Sequence, residues 1–134
     1  MTTVSELLQS HPQRDNIDID VLSECIEACS ACTQACIACV DACLGERDVD
    51  ALIECIRTDL DCADLCTVTE HVLLRMTHAN VAVVRETLEA CAVACKTCAD
   101  ECAQHAEMHQ PCRTCADACR RCEAACNRLL EILG

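Results

Sequence analysis

Residues 25–43 read CIEACSACTQACIACVDAC, and the six cysteines of this stretch decide the fold. They are separated by four, three, four, three and four residues. This alternation is the a/d repeat of a helix that turns one face toward its bundle partners. The stretch therefore predicts a long core helix whose buried face carries cysteine where leucine, isoleucine or valine would normally lie.

The same cysteine stripe recurs in three further segments that lack internal glycine and proline. The four segments span about residues 19–44, 49–76, 80–109 and 111–133. Short connections between long helices place neighbouring helices antiparallel. We therefore predict an all-α protein, an up-down-up-down four-helix bundle with a cysteine-lined lumen, as a single domain over residues 1–134.

A short helix is predicted over residues 4–10, ahead of the four long segments. Thr3 and Glu6 have the spacing of a capping box. Asn80 is suited to cap the third long helix, and Gly45 is suited to end the first. These residues set the expected helix boundaries.

The composition and the N-terminus indicate reduced cysteines. The 134 residues include 18 cysteines and no aromatic residue. Such a density is typical of secreted disulfide-rich domains, but residues 1–20 lack the basic start and apolar core of a signal peptide. Cysteines four apart on a helix also have poor geometry for disulfides. We expect a cytoplasmic protein with free thiols.

The net charge of −13 indicates what the protein does not bind. Nucleic acids and anionic membrane surfaces are recognised by clustered lysine and arginine. No stretch approaches the roughly 20 apolar residues that a membrane-spanning helix needs. We therefore expect neither nucleic acid nor membrane as a partner.

Eighteen free thiols on one set of helix faces call for a soft metal. Cysteine acting only as a small hydrophobe would leave voids. Thiolates select Cu(I), zinc or iron–sulfur clusters, and the last two are commonly bound by cysteines in turns or loops. Here eight C-x₃-C pairs lie on continuous helices. Their sulfurs can converge on one ion in the near-linear arrangement that Cu(I) accepts readily.

Charge also favours copper. One Cu(I) replaces one thiol proton without changing the local charge, whereas stacked Zn(II)–Cys₄ sites would each leave two negative charges in the interior. The residues therefore favour about one Cu(I) per thiolate. A zinc or iron–sulfur scaffold, or a thiol redox enzyme, is the alternative interpretation.

The chain resembles the four-helix-bundle copper storage proteins of bacteria, specifically the branch without an export signal. The resemblance rests on the helical C-x₃-C seam and covers all four segments. It implies a non-enzymatic cytosolic Cu(I) store, often tetrameric, in which many ions fill a thiol-lined tube. The matching positions are Cys25, Cys29, Cys32, Cys36, Cys39, Cys43, Cys55, Cys62, Cys66, Cys91, Cys95, Cys98, Cys102, Cys112, Cys115, Cys119, Cys122 and Cys126.

The two ends of the bundle differ in chemistry. His105 and His109 continue the third stripe beyond Cys102, which indicates Cu(I) ligands or a mouth through which copper passes, and the family resemblance likewise implies a mouth with histidines. Met108 either assists there or is simply exposed. The opposite end is aliphatic and is expected to be plugged, by Leu22, Leu73, Val84, Leu88, Leu129 and Leu130.

Asp59 interrupts the second stripe, four residues after Cys55 and three before Cys62. One interpretation is that the seam swivels locally and leaves Asp59 in solvent. The other is a carboxylate inside the lumen that accepts thiol protons, pairs with a histidine or guides copper inward.

Overall fold

The computed structural model describes residues 2–134, and within this range the chain forms five α-helices. Met1, which belongs to the expected domain and to the N-terminal stretch discussed for a signal peptide, lies outside the described residues. Helices α2 to α5 run up-down-up-down: α2 and α4 each pack against both α3 and α5. The predicted all-α four-helix bundle is confirmed. The helices are α1 Val4–Gln9, α2 Ile19–Leu44, α3 Ile53–Leu74, α4 Val81–Ala103 and α5 Gln110–Leu133.

Side chains cap three of these helices at their first turns. The Thr3 hydroxyl oxygen accepts from the Glu6 backbone N–H at 3.1 Å. The Asn80 side-chain oxygen accepts from the Val83 backbone N–H at 3.1 Å, as the sequence predicts. Asp18 caps α2 in the same way, accepting from the next helical N–H groups at 3.0 and 3.2 Å. These contacts satisfy N–H groups that have no partner inside the helix.

Three predicted helix boundaries are wrong. The second segment starts with the 3₁₀ turn Val49–Leu52, so α3 begins at Ile53 and ends at Leu74. The third segment stops being helical at Ala103 rather than continuing through His109. The chain reverses direction over residues 104–109, and α5 begins at Gln110 with Pro111 in its first turn.

The bundle is closed at the end where α1 lies. Leu22, Leu73, Leu88 and Leu129 are buried there, and Val84 and Leu130 are partly buried against them. Helix α1 packs on α2 and buries Leu8. The aliphatic plug predicted for this end is therefore present, and the α2–α3 and α4–α5 loops lie at the opposite end.

By length and composition, α2 is the one helix in residues 2–134 that could cross a membrane, contrary to the expectation from sequence. Cysteine counts as apolar on hydropathy scales, and α2 contains six of them. The criterion is weak because the core helix of a soluble bundle also meets it. In the structure all six of these cysteines face the bundle core.

Candidate metal centre

The cysteines form four-thiol groups stacked along the bundle axis, and all 18 are free and buried. Within a group the sulfur atoms lie within 4.8 Å of one another. Four groups share sulfurs in succession, and a fifth is joined to them through Cys102, whose Sγ lies 3.4 Å from Cys55 Sγ and 3.9 Å from Cys98 Sγ, so the sulfurs form a continuous column. From the closed end toward the loops, five groups are Cys29/Cys91/Cys122/Cys126, Cys32/Cys66/Cys95/Cys122, Cys32/Cys36/Cys62/Cys119, Cys36/Cys98/Cys115/Cys119 and Cys39/Cys43/Cys55/Cys112.

The sulfurs are in direct contact with one another. Neighbouring Sγ atoms are separated by between 3.4 Å, for Cys55 and Cys102 on different helices, and 4.0 Å, for Cys39 and Cys43 on one helix. The thiols thus fill the interior between the helices. The small cysteine side chains allow the four helices to approach until their sulfurs touch.

These separations suit a three-coordinate ion without rearrangement of the helices. A first-row d¹⁰ ion bound to three thiolates at about 2.3 Å holds its sulfurs about 4 Å apart. Cys62 Sγ, for example, lies 3.7 Å from Cys95 Sγ and 3.9 Å from Cys66 Sγ. The column therefore offers many overlapping triangles of soft ligands.

Burial also determines the protonation state of the thiols near the loops. It raises the pKa of Cys43 to about 11 and raises the pKa of Cys112 as well. Both thiols are therefore protonated at neutral pH. A metal ion that binds them as thiolates must release their protons, so binding is coupled to pH.

Asp59 lies inside the column and is fully buried, so the interpretation of a solvated residue is wrong. The thiols of Cys98 and Cys115 donate to its Oδ1 at 3.0 and 3.1 Å, and Cys102 Sγ lies 3.5 Å from the same oxygen. Burial, followed by the contact with Cys98, raises the pKa of Asp59 to about 9. A carboxyl that is already protonated at neutral pH cannot accept a thiol proton.

Replacing Asp59 with asparagine is expected to stabilise the metal-free protein increasingly as pH rises. The pKa of Asp59 rises from 3.8 to about 9 on folding. Between these values the folded state binds more protons than the unfolded state, so the stability of the natural protein falls with rising pH. At pH 7 the gain in unfolding free energy from Asp59→Asn should be about 2 to 4 kcal/mol.

Denaturant unfolding of reduced, metal-free protein at pH 5, 7 and 8.5 measures this difference. The neighbouring Asp61, exposed and paired with Arg57 at 3.4 Å, provides the matched control Asp61→Asn. A gap between the natural protein and Asp59→Asn that stays constant with pH would contradict an elevated pKa at this position.

His105 and His109 lie at the loop end of the bundle, in and after the turn that follows α4. Each imidazole faces acidic side chains. His105 Nε2 lies 3.6 Å from the Glu101 carboxylate. His109 lies between two acids, with Nδ1 3.6 Å from Glu46 and Nε2 3.5 Å from Asp48. The histidine ring centroids are 6.4 Å apart.

Two features of this end differ from what the sequence emphasises. Met108, adjacent to both histidines, is 82% exposed and points away from the packed interior. Glu101, which the sequence analysis did not single out, is buried. Its position in the sequence could have indicated a role, because it directly precedes Cys102 of the stripe and lies four residues before His105.

A helical bundle with a continuous column of buried thiols defines a protein that holds many soft metal ions. The profile of the copper storage protein family matches residues 18–131. The chain therefore belongs to the copper storage protein family, a family of storage proteins rather than enzymes.

Solved structures are similar over nearly the whole chain. The copper storage protein Ccsp of Streptomyces lividans, loaded with 10 copper equivalents, is 52% identical with a TM-score of 0.94, covering 97% of this chain and 99% of that one. A cytosolic copper storage protein from Streptomyces lividans with five coppers is 56% identical with a TM-score of 0.85, covering 86% and 96%. Cu(I)-bound BsCsp3 is 35% identical with a TM-score of 0.71, covering 79% and 94%.

The match to this family confirms copper as the metal. The protein stores copper, and its cysteine-lined core binds multiple Cu(I) ions. The chain is a homologue of a cytosolic copper storage protein of Streptomyces lividans.

Proposed function

We propose that the chain, as one domain over residues 1–134, sequesters about one Cu(I) per thiolate with all 18 cysteines as ligands. The observation that carries this proposal is that four successive four-thiol groups share sulfurs, and the fifth is joined to them through Cys102. Because of this sharing, the ions form one continuous array rather than a few separate sites. An array of this kind balances charge only with a monovalent ion.

Anaerobic titration with Cu(I) against the chelator bathocuproine tests the proposed capacity. The chelator's absorbance should stay low until the protein is saturated, at a number of ions close to its 18 thiols. Saturation at four or five ions would instead indicate a scaffold of zinc or iron–sulfur type. A matched titration of protein alkylated at its thiols should show no protection of copper from the chelator.

We further propose that copper passes into the column at the end that carries His105 and His109. The backbone N–H of Cys112, a member of the last four-thiol group, donates to the His109 carbonyl at 3.0 Å, whereas leucines close the other end. Imidazole is a suitable transient ligand for copper before thiolates take over. Met108, exposed beside them, contributes weakly, and Asp59 guides copper among the thiols that surround it.

Replacing both histidines with alanine is expected to slow copper loading about tenfold or more while leaving the final capacity unchanged. Stopped-flow absorbance of the copper–thiolate bands measures the rate, and the chelator titration measures the capacity. His71→Ala is the matched control because this residue is exposed on α3. Loading of the double variant at the natural rate would contradict a histidine mouth.

The resemblance to the family also leads us to propose a homo-oligomer, a tetramer. Large apolar side chains remain exposed on the outer helix faces, including Val68 at 49% and Val93 at 66%. Such side chains are available for packing between copies of the chain. Light scattering on the intact protein gives the number of chains directly.

A further inference from the structure

Glu101 is a buried carboxylate for which the storage column itself has no use. Its side chain is 11% exposed, whereas Asp100, the preceding residue, is 48% exposed and pairs with Lys96 and Arg120. Burying a carboxylate costs free energy unless a partner compensates for it. Within residues 2–134, the partner recorded for Glu101 is His105, whose imidazole is charged only when both of its nitrogens are protonated.

The contact between Glu101 and His105 is not an ordinary surface pair along a helix. Helix α4 ends at Ala103, and the His105 backbone N–H donates to the Cys102 carbonyl at 3.0 Å, so the chain has already turned. This turn brings the imidazole back over Glu101, with Nε2 at 3.6 Å from the carboxylate. His105 Nε2 is buried and forms no hydrogen bond within the described residues, so the Glu101 carboxylate, just beyond hydrogen-bond distance, is the acceptor that this N–H faces.

The two imidazoles are engaged differently. Both ring nitrogens of His109 face carboxylates, Glu46 on one side and Asp48 on the other. In His105, Nε2 faces the carboxylate of Glu101. Within residues 2–134 no carboxylate pairs with its Nδ1, which is therefore available to bind a metal ion. A neutral imidazole carries a proton on one nitrogen and a lone pair on the other, and the partner of the protonated nitrogen sets which is which.

We propose that Glu101 is a positioning residue for copper uptake: it holds the proton of His105 on Nε2 and so directs the Nδ1 lone pair to Cu(I). The inference rests on the proposed mouth at His105. Histidines that bind metals commonly direct their other N–H to a carboxylate, which fixes the tautomer and the ring orientation. Glu101 acts through His105 and contributes no ligand of its own to the stored copper.

This role predicts that Glu101 affects the rate of loading and not the capacity. Loss of such a supporting carboxylate typically costs about tenfold to a hundredfold in metal affinity or activity. We expect Glu101→Ala to load Cu(I) about tenfold more slowly than the natural protein and to reach the same final number of ions. Glu101→Gln, which preserves shape and an acceptor oxygen, should be slowed less.

A double-mutant cycle tests whether Glu101 acts through His105. Loading rates are measured by stopped flow, with the acetonitrile complex of Cu(I) as donor, for Glu101→Ala, His105→Ala and the combined variant. The combined variant should load at the rate of His105→Ala alone. Glu107→Ala, which removes an exposed acid from the same turn, is the control for net charge and should load at the natural rate.

Nitrogen-15 NMR of the imidazoles provides a readout that a purely structural role would not change. His105 should show the Nε2–H tautomer in the metal-free natural protein and a mixture of tautomers in Glu101→Ala. If Glu101→Ala lowers the copper capacity, Glu101→Gln is used for the test instead. We then expect a partly reduced loading rate and a partial loss of the Nε2–H tautomer of His105.

The outcomes separate this inference from the proposed mouth. If His105→Ala loads Cu(I) at the rate of the natural protein, the proposed entry of copper at the histidines is wrong. If His105→Ala loads slowly but Glu101→Ala loads at the natural rate, copper still enters at the histidines and the proposed role of Glu101 is wrong. A further slowing when both changes are combined would also overturn it, because Glu101 would then act independently of His105.

Discussion

Loading with copper is expected to raise the thermal unfolding temperature of the protein by more than about 20 °C. In the metal-free state, sulfurs from four helices touch at 3.4 to 4.0 Å with only weak S–H interactions between them. Copper replaces those contacts with bonds that cross-link all four helices. Each ion bound at a thousandfold excess over its dissociation constant contributes about 4 kcal/mol, and many ions bind.

Differential scanning calorimetry of metal-free and loaded protein, both kept anaerobic, measures this shift. Protein loaded with copper and then stripped by chelator should return to the metal-free unfolding temperature, which excludes irreversible oxidation as the cause. Equal unfolding temperatures before and after loading would mean that copper does not bridge the helices.

The second large effect concerns which cysteines are removed. Cys32 and Cys122 each belong to two four-thiol groups, and Cys32 Sγ lies 3.6 to 3.9 Å from three other sulfurs. In residues 2–134, Cys25 and Cys43 each form one S–H···S contact, at 3.9 and 4.0 Å. Replacing Cys32 and Cys122 with serine should therefore remove about three copper ions, since the two serines together disrupt three groups of bridging ligands.

The matched variant replaces Cys25 and Cys43 with serine and removes the same number of thiols. It should lose at most two ions, because its missing sulfurs lie at the two ends of the column. Native mass spectrometry under anaerobic loading counts the ions directly. Equal losses in the two variants would indicate independent binding sites instead of a shared array.

The stripe made the fold and the metal predictable from sequence. Cysteines spaced by four and three define both the buried face of each helix and the ligands on it, so one pattern carries both conclusions. Capping residues such as Asn80 were also predicted correctly from the sequence. The end of α4 could not be predicted, because His105 and His109 continue the stripe spacing although the chain leaves the helix after Ala103 and turns into α5.

Two site features depend on packing that sequence does not specify. Asp59 occupies a stripe position, but its burial follows from how closely the four helices approach, which spacing alone does not give. The environment of His105 likewise depends on a turn that folds the imidazole back over Glu101. Glu101 follows Cys98 at the stripe spacing of three, but as the residue just before Cys102 it resembles an ordinary helix-surface acid.

X-ray diffraction from crystals of fully loaded protein, recorded at the copper absorption edge, tests the central claim most directly. We expect a continuous column of anomalous peaks in the lumen enclosed by α2, α3, α4 and α5. Each copper ion should bind at least two cysteine sulfurs, and the number of ions should be close to the 18 thiols. Four or five isolated peaks, or peaks outside the helix bundle, would contradict it.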